Sequence, residues 1–384
     1  MFRFKTHCLS LQLHTTTSTI DKNQWNTILR DANPFLSISF KRAFEQSHQQ
    51  HITHLFYVLD QKDNKQLGYA QEFYLFGERV YSYQRRNQLA RGLISLALKV
   101  LKLKVVGLGN GLTTNVHNVF SEKPLENHSF VHSLLELISR ERKISKFIIP
   151  DHFFSKLGIR LPEKTISELI KVEVEEDMVL GLNPKWKQFD DYSRSLRKKY
   201  RARQRGVMNK SQAITIRQLS KSELNTYQDT IQQLFLNVQT NSSFGAIHFN
   251  TAIFQELIDQ SLPKCTVYGY FLNKQMIAFS SELEDNTRLY SYFIGLDYRY
   301  NQSHRLYERI LLESIRHAIS ASKQEIIFGR TAAEFKSNVG AEPRRSFIYV
   351  YIKNPLLRFI LKPILLRIKP KKWTQRHPFV KTKH

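Results

Sequence analysis

The period of the apolar positions changes along the chain, and each change marks an element. Leu9, Leu11 and Leu13 alternate with polar residues, the spacing of a half-buried strand and not of the continuous apolar run of a secretory leader. Two short helices are expected over 21–31 and 37–47, the first capped by Asp21, with Asn33-Pro34 breaking the chain between them. Alternating runs at 54–59 and 67–76 around a polar Asp-Asn turn predict an antiparallel pair, and a third short strand is expected at 80–83. A basic helix over 89–102, a strand at 104–108, a helix over 129–140 and strands at 147–149 and 171–180 complete the first half.

In residues 184–210, Trp186, Phe189, Tyr192, Leu196 and Tyr200 recur at three- and four-residue steps, as on one helix face. The intervening Arg194, Arg197, Lys198, Lys199, Arg201, Arg203 and Arg205 form the densest positive cluster in the chain, and the segment reads as a basic inter-domain helix. Beyond it the pattern gives a strand at 214–218, helices over 222–238 and 251–260, and strands at 266–272, 276–283 and 289–295. Asn273-Lys274 and Asp285-Asn286 between alternating runs are hairpin turns. An amphipathic helix over 303–321, a strand at 325–328, a short helix over 332–338 and a strand at 346–352 follow.

At 384 residues the chain is longer than one core usually organises, so two domains are expected. Its 58 Lys and Arg against 33 Asp and Glu give a net charge of +25, which selects partners bearing phosphates, carboxylates or anionic head groups. Cys8 and Cys265 are far apart with no CxxC partner, which supports neither a disulfide framework nor a thiolate metal site and fits a reducing cytoplasm. His48, His51 and His54 share a three-residue spacing but have no accompanying carboxylate, so no metal is expected. Residues 93–108 approach a membrane span, but Lys99, Lys102 and Lys104 interrupt them.

The second half runs strand, two helices, three antiparallel strands, helix, strand, helix, strand. That order over about 140 residues resembles the GNAT acyltransferases, and the first half repeats much of it without a matching sequence repeat. The expected class is α+β (mixed α/β): tandem GNAT-like folds, each a mostly antiparallel twisted sheet flanked by helices. The expected divisions are 1–183, the helix 184–210, the acyltransferase domain 211–353 and a basic tail 354–384.

Local motifs narrow the resemblance. Trp186-Lys-Gln-Phe189-Asp-Asp-Tyr192, then Leu196 and Lys199-Tyr200-Arg201, and also Gly295-Leu-Asp297-Tyr-Arg-Tyr-Asn301 with Leu306-Tyr307, are similar to segments of the Fem-like peptidoglycan aminoacyl transferases and related BioF2-like N-acyltransferases. Phe328-Gly329-Arg330-Thr331-Ala-Ala-Glu334-Phe-Lys336-Ser-Asn-Val-Gly340-Ala341 resembles the F-G-R-T-x-x-E-x-K-x-x-x-G-A signature closing these domains. The resemblance implies that Lys336 lies beside the acyl carbonyl as a catalytic residue, stabilising the transition state. It also implies an acyl-CoA donor, or an aminoacyl-tRNA donor, and an amine on a cell-envelope precursor as acceptor.

The family's phosphate-binding loop, which sets backbone N–H groups around a pyrophosphate, falls here at Arg299, Asn301, Gln302 and Ser303, with neither of the usual glycines. Arg330 and Tyr307 are further donor-binding candidates, and Tyr298, Thr331 and Glu334 are acceptor candidates. Each also has a plain structural reading: Arg330 pairing with Glu334 one turn on, Tyr307 as core, Lys336 as a solvated helix lysine. Asp297 and His304 are the catalytic base candidates, with Glu282 beside them and turn-capping the competing role for Asp297.

The basic cluster 194–205 suits tRNA, CoA phosphates or a pyrophosphate-linked lipid, but not sequence-specific DNA reading. Residues 354–384 contain no acidic residue and alternate apolar with basic positions. They are expected to sit on an anionic membrane, placing the protein in the cytoplasm and peripherally on the inner face of the cell membrane; packing on the second domain is the alternative. A non-catalytic basic adaptor for membrane or RNA is the reading from a different class.

Overall fold

In a computed structural model, the structure describes residues 2–6, 9–30, 32–61, 64–75, 103–123, 129–156, 168–241 and 249–380. The predicted elements at 80–83 and 89–102 lie outside them, apart from the last residues of the interrupted apolar run 93–108. The first elements are β1 (Phe2–Thr6), β2 (Leu9–His14), α1 (Lys22–Leu29), α2 (Ile38–His48), β3 (Ile52–Gln61), β4 (Asn64–Leu75), β5 (Leu103–Gly107) and β6 (Val119–Ser121). Then come α3 (Ser129–Arg142), β7 (Lys146–Pro150), α4 (Asp151–Lys156), β8 (Leu169–Gly181), α5 (Phe189–Ser195), α6 (Lys198–Lys210), β9 (Thr215–Gln218), α7 (Lys221–Thr226) and α8 (Gln228–Asn241). The chain continues through α9 (Ile253–Leu257), β10 (Lys264–Leu272), β11 (Gln275–Glu284), β12 (Arg288–Leu296), α10 (Tyr298–His304) and α11 (Leu306–Ser320). It ends with β13 (Glu325–Gly329), α12 (Ala333–Asn338), β14 (Glu342–Ile352) and α13 (Pro355–Leu365).

Two compact units result. The first comprises Met1–Val174, a short stretch ending at Phe249, and Ser346–Pro370; the second comprises Glu175–Ser243, Asn250–Arg345 and Lys371–His384. Residues 184–210 therefore belong to the second unit as two helices, and the predicted tail 354–384 divides at Pro370.

In the first unit β1, β2, β3, β4 and β5 pair antiparallel in that order, and β5 pairs parallel with β7. Asp21 caps α1 by accepting from the N–H groups of Asn23 and Gln24, as its residue type predicts. The main core sets Leu55, Tyr57, Val106 and Phe147 against Leu134 and Ile138 of α3. A second cluster places Trp25 and Ile28 of α1 against Phe56 and Tyr69.

The second unit repeats the scheme. β9, β10, β11 and β12 pair antiparallel in order, β12 pairs parallel with β13, and β13 pairs antiparallel with β8. The β10–β11 turn places Asn273 and Lys274 at φ 49° and 68°, the two left-handed residues that match the twist of a two-residue hairpin. The aromatic stripe of 184–210 is core: Phe189, Tyr192 and Leu196 pack with Leu311 and Ile315 of α11 and with Phe328 of β13. Much of the adjoining charge is held locally. Arg194 pairs with Asp191, Arg203 with Glu308, and Arg201 donates to the carbonyls of Arg194 and Leu196.

Candidate active site

The site grows from a place where two parallel strands part. The β12–β13 ladder runs from Arg288/Glu325 to Tyr290/Ile327 and stops, although β12 continues to Leu296 and β13 to Gly329. A bulge beside each strand explains the divergence, since an extra residue bends the strand that holds it. Tyr292 and Phe293 together oppose Ser281, and the Ser281 hydroxyl donates to the Phe293 carbonyl and accepts from the Phe293 N–H, both at 2.9 Å. On the other side, the β13–β8 register shifts between Ile327 and Gly329. Beyond Tyr290, β12 therefore runs on paired with β11 but not with β13.

Helix α8 lies over the end of β12. A Cβ on Gly295 would stand 2.3 Å from the Phe279 ring and 2.6 Å from main-chain atoms of Leu234 and Phe235, so this approach requires glycine. Beside it opens a cleft of about 860 Å³. Its walls are one face of α8 with Asp229, Gln233 and Asn237, the β10–β11 hairpin at Gln275 and Met276, and Asp297, Tyr298 and Arg299 at the start of α10.

The predicted phosphate-binding residues form α10. Asp297 is its N-cap, accepting from the Arg299 N–H at 3.0 Å and pairing with the Arg299 guanidinium at 2.6 Å. The guanidinium holds the Asp297 carboxyl below its ordinary value, which gives it little of a base's affinity for a proton. Arg305 adopts φ 49°, ψ 44° and separates α10 from α11. The Asn301 carboxamide accepts from the Tyr307 N–H at 3.0 Å, so a side chain already holds one amide at the start of α11. Ser303 and His304 bond each other at 2.8 Å, while Gln302 is exposed. Tyr307 is half-buried, with its ring edge-on to Phe335 at 5.7 Å, and desolvation raises its phenol.

The signature segment follows β13, the strand that leaves β12 after Ile327. Gly329, Thr331 and Ala332 have φ of 70°, 66° and 49°, a left-handed run that is strained at the β-branched threonine. Lys336, 4% exposed, reaches back from α12 and donates to the carbonyls of Gly329 at 3.1 Å and Arg330 at 2.6 Å. Its amine does not point into bulk water; it ties down the turn. Desolvation lowers its pKa to about 7 against the opposing pull of Asp177 and Glu175. Arg330 lies 3.6 Å from Asp177, and Glu334 pairs with Arg376, so the expected Arg330–Glu334 pair does not form. Gly340, at φ 99°, leaves no room for a Cβ beside the Phe379 ring, and Gln375 donates to the Ala341 carbonyl.

The structure thus brings Asp297, Tyr298 and Arg299 into one cleft and assigns Asn301, Lys336 and Glu334 definite local partners. Glu282 is placed elsewhere, buried and 3.1 Å from His317 beneath α11. The cleft residues of α8 and the Ser281 pin were missed. Their polar side chains read as an ordinary helix face and strand, and only the bulge register, invisible in sequence, gives them a role. Among the described residues there is no cluster of metal-ligating side chains.

The family description "Acetyltransferase (GNAT) domain" matches residues 194–337. No curated protein matches the chain. Among solved structures, a conserved protein of unknown function from Bacteroides thetaiotaomicron is similar at 12% identity and TM-score 0.51, over 89% of this chain and 99% of that one. FemX is similar at 9% identity and TM-score 0.49, over 91% of this chain and 100% of its own. A tandem GNAT protein from the clavulanic acid biosynthesis pathway is similar at 8% identity and TM-score 0.48, over 90% and 99%.

Proposed function

We propose that this chain, whose residues 194–337 match the description "Acetyltransferase (GNAT) domain", is an N-acyltransferase moving an acyl group from acyl-CoA to an amine on a membrane-associated or cell-envelope acceptor. The observation that carries this reading is the parting of β12 and β13 after Tyr290/Ile327, with the cleft against α8 lined by Asp297, Tyr298 and Arg299, which follow β12 in the chain. Acyl transfer needs a polarised carbonyl and an amine held against it. In this reading main-chain N–H groups of β12 past its last pair with β13, Tyr290/Ile327, receive the carbonyl oxygen as it gains negative charge. The amine nitrogen attacks the carbonyl carbon, the C–S bond breaks, and the leaving thiolate takes up the proton that the amine gives up.

Asp297, Tyr298 and Arg299 serve the cleft as binding groups, the low-lying Asp297 carboxylate suiting a cationic amine before it is deprotonated. Lys336 acts as a positioning residue, holding the Gly329-Arg330 turn at the end of β13. A second reading, with aminoacyl-tRNA as donor, is favoured by Asn301, which occupies an N–H at the start of α11 that a pyrophosphate would use. The exposed Lys198, Lys199 and Arg205 on α6 suit an RNA backbone.

Thermal unfolding with and without donor tests the reading. A donor that binds the folded state raises Tm with its occupancy. Acyl-CoA is expected to raise it and to acylate an added amine. A rise with aminoacyl-tRNA alone, abolished by ribonuclease, transfers the assignment to the second donor; no response to either removes the enzymatic reading.

A further inference from the structure

Helix α13 has two apolar faces, and only one of them is used. Leu357, Leu361, Leu365 and the following Ile368 pack against Ile170, Val172 and Ile352 of the first unit. On the other side Leu356, Phe359 and Ile360 are 68%, 78% and 52% exposed, with Leu366 at 47%. Their i, i+3, i+4 spacing puts them on one stripe, and Pro363 continues it at i+7. Of the eight large hydrophobic residues exposed among those described, these are four, gathered in eleven positions. The surrounding charge has one sign: residues 354–384 hold nine Lys and Arg and no Asp or Glu. Lys362, Arg367, Lys369, Lys371 and Lys372 are all exposed.

Water does not favour such a face, and the charge decides what would. A second copy of the chain would bring two wholly basic segments together, which like-charge repulsion opposes. A nucleic acid would satisfy the charges but leave the apolar stripe in contact with phosphates. An anionic bilayer satisfies both, taking apolar side chains at the acyl boundary and cations at the head groups. Eleven residues make a helix of about 16 Å, far short of a span, so it would lie in the plane of the interface.

We propose that α13 is an interfacial anchor that seats the chain on an anionic lipid surface, with Leu356, Phe359 and Ile360 inserted and Lys362, Arg367 and Lys369 on the lipid phosphates. This deepens the reading of a membrane-associated acceptor but does not depend on the donor, because binding is measured with neither donor nor acceptor present.

The test is cosedimentation of the full chain with vesicles of phosphatidylcholine alone and with phosphatidylglycerol added. The native chain binds the anionic vesicles, releases in high salt, and binds phosphatidylcholine much more weakly. Phe359→Ser with Ile360→Ser, at positions outside the packed face, lowers partitioning by at least about tenfold with an unchanged melting curve. Lys362→Glu with Arg367→Glu abolishes the preference for anionic lipid. Equal binding by native and double-serine chains, or no binding by the native chain, overturns the anchor. Sedimentation equilibrium showing a dimer that the serine pair dissolves also overturns it and gives the face to a second copy. Acylation of a soluble amine that persists when vesicle binding is lost leaves the enzymatic reading intact while locating the anchor.

Discussion

Replacing Lys336 by methionine keeps most of the side-chain volume and removes the amine, which isolates what the buried amine does. In the fold, burial takes its pKa from 10.5 to about 7. One pKa unit corresponds to about 1.4 kcal/mol, so the shift is equivalent to about 5 kcal/mol, an order-of-magnitude figure. The sign follows from proton counting. From about pH 7 upward the folded amine is neutral, while the unfolded one stays protonated up to its ordinary value, so the unfolded state binds more protons and stability rises with pH. Below about pH 7 both states carry the proton and the charge is buried at full cost.

The native chain should therefore gain about 2–3 kcal/mol between roughly pH 7 and 9 from this group alone. The methionine variant lacks that gain at every pH, and it leaves the Gly329 and Arg330 carbonyls without their donor at a cost of about 1–3 kcal/mol for each buried group. Urea unfolding of both chains across that range, followed by tryptophan fluorescence, reads the difference; other titrating groups cancel between them. The gap between native and variant should widen as pH rises. Two parallel profiles would refute the reasoning, because they would mean that the amine keeps its ordinary affinity for a proton inside the fold.

Gly295→Ala places a methyl 2.3 Å from the Phe279 ring and 2.6 Å from the α8 backbone, so it should destabilise by about 2–3 kcal/mol and lower transfer, as thermal melts and an acylation assay would register. Ser281→Ala unpins the β12 bulge by removing two hydrogen bonds and should cost about 1–2 kcal/mol while reducing kcat more than it raises KM. In His317 burial alone would lower the pKa, but the hydrogen bond and charge of Glu282 win and raise it. Its stabilising contribution is thus complete below about pH 6.5 and is lost as pH rises through the elevated folded value, so His317→Asn should cost most in acid and least in alkali.

Much of the second unit could be read from the sequence. The β10–β11 turn followed from Asn273-Lys274, and the helix–strand order from apolar spacing, because both depend on local residue type. The break at Arg305 did not, since arginine carries no signal for a left-handed backbone; the predicted single helix from 303 becomes the end of α10 and the start of α11. The strained turn at Thr331 and Ala332 was equally hidden, although its motif was visible, because what holds it is Lys336 arriving from the next helix. The helix expected over 222–238 is interrupted at Tyr227, the C-cap of α7, where the alternation of polar and apolar residues shows no break. β14 starts at Glu342, four residues ahead of the strand predicted from 346, in a charged run that alternation does not mark. The basic stripe of 184–210 was seen as a connector because its charge dominates the composition, whereas its aromatic face is core of the second unit.

The central claim is that transfer takes place where β12 leaves β13. A structure with a non-hydrolysable acyl-CoA bound tests it most directly. The account predicts the acyl carbonyl oxygen within about 3 Å of a main-chain N–H in residues 291–296, with the acyl group facing the cleft under α8. A donor seated in the first unit, with that opening empty, would contradict it.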